Sequence, residues 1–114
     1  MNKVTLYGNL GAKPEMRFTD SGKCVASFSL ATREWKDETE WHKIECWEST
    51  AKIAGEFLDK GSAVIIEGRI RSNQWTDQEG AKRKTWKIVC ERLHLTGSKP
   101  KPNPKTFDDE EIPF

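Results

Sequence analysis

Thr39-Glu40-Trp41-His42-Lys43-Ile44-Glu45-Cys46-Trp47 is the segment from which the architecture can be built. In an extended strand successive side chains point to opposite faces. One face of this segment then carries Trp41, Lys43, Glu45 and Trp47, and the other carries His42, Ile44 and Cys46. The second set can sit on an apolar core. The first set places two indoles and an ammonium on one side with nothing evident to bury them. Such a row suits a single-stranded polyanion, the indoles stacking on bases and the lysine meeting phosphate. The alternative is that both faces are buried and the tryptophans are core, and this strand alone leaves both open.

The flanking segments extend the pattern. Upstream, Cys24 to Thr32 alternates Cys24, Ala26, Phe28 and Leu30 with Val25, Ser27, Ser29 and Ala31, which makes a second strand. Arg33 to Glu40 is dense in charge and reads as a protruding hairpin loop; Trp35 in its middle has little core to reach and is expected to make a contact. Val4 to Gly11 is the first strand, with Val4, Leu6 and Leu10 inward and Gly8 and Gly11 marking a bend or bulge. Pro14 and Asp20-Ser21-Gly22 punctuate what lies between the first and second strands.

Downstream, Ser49-Thr50 is a candidate helix N-cap, and Ile53, Ala54, Phe57 and Leu58 recur at helical spacing. Lys60-Gly61 closes this helix of about three turns, expected to plug one end of a β core. Ala63 to Trp75 is the fourth strand. Val64, Ile66 and Ile70 share one parity, with a bend at Gly68, while Arg69, Arg71, Asn73 and Trp75 share the other. That is a second polar and aromatic stripe; a solvated basic face with one stray tryptophan is the alternative. Thr76 to Lys84 is a second long hairpin loop with a turn at Gly80 and the cations Lys82, Arg83 and Lys84 on its return limb. The fifth strand runs from Thr85 to Leu95. Trp86 on it either joins the core or closes the binding face, and the sequence leaves both open.

A chain of 114 residues is one domain, with room for a real core and a tail. Apolar residues make up 35% and charged residues 32%, so part of the chain adds nothing to that core. The net charge of +1 is a sum of unlike parts. Four of the 18 acidic residues are Asp108, Asp109, Glu110 and Glu111, which leaves 14 acidic against 19 basic residues elsewhere. A basic body with an acidic terminus is the asymmetry of a polyanion binder.

Cys24, Cys46 and Cys90 are odd in number and far apart, so they are expected as small buried apolar residues and not as a disulfide framework or metal site. His42 and Cys46 lie more than ~10 Å apart on an extended strand and cannot share a metal unaided. No cofactor is expected. No membrane partner is expected either, since no apolar run approaches the ~20 residues of a span. With no signal-like segment ahead of the first strand, a reducing cytoplasm is expected. The sequence shows no nucleophile–base pairing, phosphate-cradling glycine loop or metal-ligand cluster, so an enzyme is not expected.

Residues 1–97 therefore read as the folded domain. Residues 98–107 read as a disordered Pro/Lys linker, with three prolines and no apolar residue between Ser98 and Lys105. Residues 108–114, Asp108-Asp109-Glu110-Glu111-Ile112-Pro113-Phe114, have the form of a compact peptide ligand: Phe114 can fill a partner's pocket while its carboxylate meets a basic residue. An acidic solubilising tail is the alternative. Five strands, a helix between the third and fourth, two glycine bends and long hairpins fit an all-β fold, a small closed barrel of the oligonucleotide/oligosaccharide-binding (OB) type. That fold holds its ligand on the face of strands two and three and the adjoining loops.

These residues resemble the bacterial single-stranded DNA-binding proteins. The likeness is carried by Val4-x-Leu6-x-Gly8-x-Leu10, Lys13-Pro14-Glu15-Met16-Arg17, Ser21-Gly22-Lys23, Phe28-Ser29-Leu30-Ala31-Thr32 and Thr39-Glu40-Trp41-His42-Lys43. It continues through Leu58-x-Lys60-Gly61-Ser62, Glu67-Gly68-Arg69, Trp75-Thr76-Asp77-Gln78-x-Gly80 and the acidic terminus, and so covers the whole chain. The resemblance implies base stacking by Trp35, Trp41, Trp47 and Trp75, a position where some relatives carry phenylalanine being 47. It implies a phosphate contact at Lys43, a homotetramer with His42 at a subunit interface, and docking of replication, recombination and repair enzymes on residues 108–114. Arg69, Arg71, Lys82, Arg83 and Lys84 are the further cations expected to meet phosphate.

One departure is the linker, about ten residues where the family's is long and rich in Gly, Gln and Pro. Random-coil scaling gives it a reach of ~20 Å, so the tip is expected to stay near the barrel. It would compete there with DNA for the basic face, and with so short a tail the tail-dependent cooperativity between tetramers would be weakened. The short chain also suggests a plasmid, phage or mobile-element version. An RNA-binding barrel, or an adaptor acting mainly through its terminal peptide, are the rival readings; stacking does not distinguish DNA from RNA.

Overall fold

The structure, a computed structural model, describes residues 1–96. The expected linker and the tip at 108–114 lie outside the described residues. The elements in chain order are β1 (Val4–Leu10), β2 (Glu15–Phe18), β3 (Cys24–Arg33), a short 3-10 turn (Trp35–Asp37), β4 (Thr39–Trp47), α1 (Glu48–Phe57), β5 (Ala63–Thr76) and β6 (Lys82–Leu95).

There are six strands where five were expected, and the additional one is β2. All four of its residues are exposed. It continues β1 along the same neighbour: Asn9 and Leu10 pair with Ala31 and Leu30, and Glu15 to Phe18 then pair with Ser27 to Cys24, all antiparallel. Residues 11–14 face only Phe28 and Ser29 of β3, so the excess is absorbed as a bulge that includes Pro14, which has no N–H for a ladder. With β1 and β2 counted as one broken strand, the helix lies where it was expected.

The sheet closes on itself. β1 pairs with β5, β5 with β6, β6 with β4, β4 with β3, and β3 returns to β1. Among the described residues only the β4–β6 join is parallel. Closure forces backbones close together at two glycines. A Cβ at Gly8 would lie 2.1 Å from the Ala31 carbonyl oxygen, and one at Gly68 would lie 2.0 Å from that of Val89. Gly68 is also the site of the register shift between β5 and β6. The expected irregularity at Gly68 is therefore present, the β1–β5 register runs unbroken through Gly8, and neither site has room for a side chain.

Inside lie Leu10, Ala26, Phe28, Leu30, Ile44, Cys46, Val64, Ile66, Ile88 and Cys90, with Ala51, Ala54 and Leu58 of the helical segment added at one end. The helix begins directly after β4, one residue ahead of the expected Ser49-Thr50 cap, and has no side-chain cap. Its buried face is Ala51 and Ala54, while Ile53 and Phe57 are exposed. All three cysteines are free and buried. A hydrogen bond with Cys90, together with burial, holds the Cys46 thiol far above its ordinary value, so it stays protonated. Among the described residues no helix is long and apolar enough to cross a membrane, and no cluster of three or more His, Cys, Asp or Glu could hold a metal.

Candidate nucleic-acid interface

The outer face of β3 and β4 is set by cross-strand pairing. Trp41 stands opposite Ala31, Lys43 opposite Ser29, Glu45 opposite Ser27 and Trp47 opposite Val25. The small partners Ala31 and Ser29 leave Trp41 and Lys43 uncovered. Trp41 is 58% exposed and Trp47 36%, which decides against both tryptophans being core. Trp41 also has a seat prepared for it: a Cβ at Gly11 would lie 2.6 Å from its Cζ3 and 2.9 Å from its Cη2. The bulge between β1 and β2 thus admits the indole edge.

Glu45 differs from the expected exposed stripe, being buried on that same face. Its Oε1 accepts a hydrogen bond from Trp47 Nε1 at 2.9 Å, and its Oε2 accepts one from Lys87 Nζ at 2.9 Å, with Arg17 3.7 Å away. Burial alone would push this carboxyl up. The hydrogen bonds from Trp47 and Lys87 and the charges of Lys87 and Arg17 outweigh it and hold the group below its ordinary value. Glu45 is therefore ionised at neutral pH, fixes the Trp47 ring by its N–H, and is neutralised by two cations.

On β5, Arg69, Arg71, Asn73 and Trp75 share one face as expected, beside Val89, Lys87, Thr85 and Arg83 of β6. Arg69, Arg71 and Asn73 meet Glu45, Trp47 and Lys87 along one groove of about 470 Å³. The two stripes are thus brought together at Trp47. A second groove of about 350 Å³ carries Ser27, Ser29, Lys43, Glu45 and Lys87. Trp35 and Trp75 are carried instead on the projecting hairpins, 81% and 45% exposed. The Trp35 turn is held by Glu34 N donating to Glu38 O, and its next residues, Lys36 and Asp37, are left-handed.

The candidate cations fall into two groups. Arg69 pairs with Glu91 at 2.7 Å, Arg83 pairs with Asp77 at 2.9 Å, and the Lys84 ammonium lies 4.8 Å from the Trp86 ring centroid. Asp77 also accepts from the N–H groups of Glu79 and Ala81, which sets the Gly80 turn; its carboxyl is held below the usual range, chiefly by Arg83. Lys43, Arg71 and Lys82 make no ion pair among the described residues. His42 points to the other face of β4, is half-buried, and shares a 2.9 Å hydrogen bond with the Thr32 hydroxyl.

Sequence reasoning missed Lys87, which touches all three grooves around β4. Counting back from the Gly80 turn pairs it with Arg71, and that signal would have found it. Trp86, left open in the sequence, is 58% exposed.

The model described as the single-strand binding protein family matches residues 1–96. The "Single-stranded DNA-binding protein 1" of Xylella fastidiosa (strain 9a5c) is 42% identical over 108 residues, covering 87% of this chain and 79% of the relative.

Proposed function

The chain belongs to the single-strand binding protein family, and from that membership we propose that it coats single-stranded DNA without sequence preference and without chemistry. The observation that carries this is the row of exposed indoles on β4, Trp41 and Trp47, with Lys43 between them and small residues alongside. Bases stack on Trp41, Trp47 and Trp75, with Trp35 adding contact from its loop; stacks of this kind are worth ~1–3 kcal/mol each and tolerate any base. Lys43, Arg69, Arg71, Lys82, Arg83 and Lys84 neutralise phosphates, so affinity falls as salt rises.

The finer reading takes residues 1–97 as the DNA-binding domain, 98–107 as a linker and 108–114 as the docking tip. Coated strands are kept from reannealing during replication, recombination and repair, and the tip recruits the enzymes of those processes. The chain acts as a homotetramer with His42 at a subunit interface, in the cytoplasm at the nucleoid. Support for these parts comes from the sequence pattern alone.

The deciding test is tryptophan fluorescence during titration with oligo-dT, duplex DNA of equal length and oligo-U, at low and high salt. Strong quenching by oligo-dT with little by duplex is expected. No quenching by any of the three would end the stacking reading, and oligo-U quenching as strong as oligo-dT would favour an RNA-binding role.

A further inference from the structure

Val25 is fully buried, yet it does not pack with the core cluster inside the closed sheet. It alternates with Cys24 and Ala26, which face inward, so its side chain lies on the outer face of β3. Its registered neighbours are Arg17 on β2 and Trp47 on β4, and these are the side chains placed to cover it. Trp47 is accordingly 36% exposed, against 58% for Trp41 opposite the smaller Ala31. The N–H edge of Trp47 is turned back along β4, where Nε1 donates to Glu45 Oε1 at 2.9 Å. The indole therefore lies along the sheet, one face on Val25 and the other turned outward.

A face that binds a polyanion gains nothing electrostatically from a carboxylate, so Glu45 has another role there. Its two oxygens are divided. Oε1 takes the indole N–H, while Oε2 takes Lys87 Nζ at 2.9 Å, with the Arg17 guanidinium 3.7 Å away. Those cations come from β6 and β2, on opposite sides of β4 in the sheet. The carboxylate is thus held from both sides while it holds the ring. Neither groove that Glu45 lines includes His42. An indole that is already fixed has no rotamer freedom left to lose when a base stacks on it, and that loss otherwise weakens binding.

We propose that Glu45 is a positioning residue for single-strand binding: its carboxylate holds the Trp47 indole against Val25 with one face presented to a base. This rests on the single-strand reading above. The same carboxylate occupies Lys87 and Arg17, which a phosphate would otherwise attract. Two opposed effects therefore reside in one side chain. The charge of Glu45 opposes binding through the cations it holds, and its acceptor oxygen favours binding through the ring it orients. Removing the charge strengthens binding only where an acceptor for Trp47 Nε1 remains.

The test compares full-length wild type with E45Q and E45A, using the anisotropy of a labelled oligo-dT across a range of salt. Both variants free Lys87 and Arg17, so both should show a steeper salt dependence, by about 0.7 for each phosphate those cations meet. Only E45A also loses the acceptor. It should bind roughly twofold to tenfold more weakly than E45Q at every salt concentration, the effect of having to order one side chain. E45L, which keeps the buried volume, replaces E45A if that variant folds poorly. A merely structural role would lower the Tm of both variants without separating their affinities. The second readout is the Trp47 indole N–H resonance in protein labelled with 15N-tryptophan, identified by its absence from W47F. Without DNA it should be protected from solvent exchange in wild type and E45Q, and exchange freely in E45A. Equal affinities for E45Q and E45A, or a Trp47 N–H that exchanges as fast in wild type as in E45A, would overturn the proposal. A wild-type chain that binds no oligo-dT would instead remove the single-strand reading itself, and the proposal with it.

Discussion

Glu45 puts a carboxylate on the face proposed to meet a polyanion, and its surroundings explain why it is tolerated there. Its pKa is held below the ordinary 4.5. A group depressed in this way stabilises the fold above its unfolded value, and that contribution is lost as pH falls through the lower folded value. E45Q keeps an oxygen for Trp47 Nε1 but removes the charge that holds Lys87 and Arg17. Near neutral pH it is expected to cost about 1–3 kcal/mol, a drop of several degrees in Tm. The gap to wild type should close as pH is taken below 4.5, where the wild-type carboxyl protonates. Glu67 and Asp77 also titrate low, but both proteins share them, so the difference in Tm isolates Glu45. Equal melting curves at neutral pH would show that Glu45 contributes no net stability. Gly11 acts on the site through space alone. G11A must turn the Trp41 indole off its seat, yet that indole is largely exposed, so oligo-dT binding should weaken severalfold with little change in Tm. Unaltered affinity would mean that the ring finds an equivalent position.

Among the elements, the β5–β6 hairpin separates cations that carry the same charge but not the same freedom. Arg69 must leave Glu91 to meet a phosphate, whereas Arg71 has no ion pair to break among the described residues. R71A should therefore lower the slope of log K against log [salt] by about 0.7, one phosphate contact on a single strand, evenly across sequences. R69A should lower it by less, and equal slopes for the two variants would refute the distinction. Strand parity was enough to place each stripe on one face, because side chains alternate along β4 and β5, although β5 is exposed on both faces from Ile70 to Thr76. It could not show that Glu45 is covered, since that depends on Lys87 from a strand 42 residues away. Nor could it decide Trp86, whose parity is core at Ile88 and open two residues earlier only because β4 and β6 part there. The helix was legible in extent and only partly in face: of Ile53, Ala54, Phe57 and Leu58, Ala54 and Leu58 are buried, whereas Ile53 and Phe57 are exposed and Ala51 fills the contact with β3 and β4 in their place. β2 was missed although Glu15-Met16-Arg17-Phe18 alternates polar with apolar residues, because four residues between Pro14 and the Asp20-Ser21-Gly22 turn are too short a run to stand out as a strand.

For the whole molecule the governing quantity is the split of charge, a basic body against four carboxylates in sequence at 108–111. The proposed linker of ten residues would reach ~20 Å by coil scaling, against a longest extent of 49 Å for the described residues. On that proposal the acidic segment would stay at high effective concentration beside the cations it can reach. Lys43, Arg71 and Lys82, which make no ion pair among the described residues, are the groups it would meet most cheaply. Deleting residues 108–114 should then tighten oligo-dT binding at low salt about fivefold, by freeing those cations. The gain should vanish above the salt concentration at which exposed charges are screened, ~0.15 M or higher. The same deletion should abolish capture of partner enzymes while leaving DNA binding intact, which separates a binder with a docking tip from an adaptor whose only activity is the peptide. An affinity unchanged at low salt would show that the tip does not compete with DNA, and would leave the linker's shortness to be explained by partner docking alone.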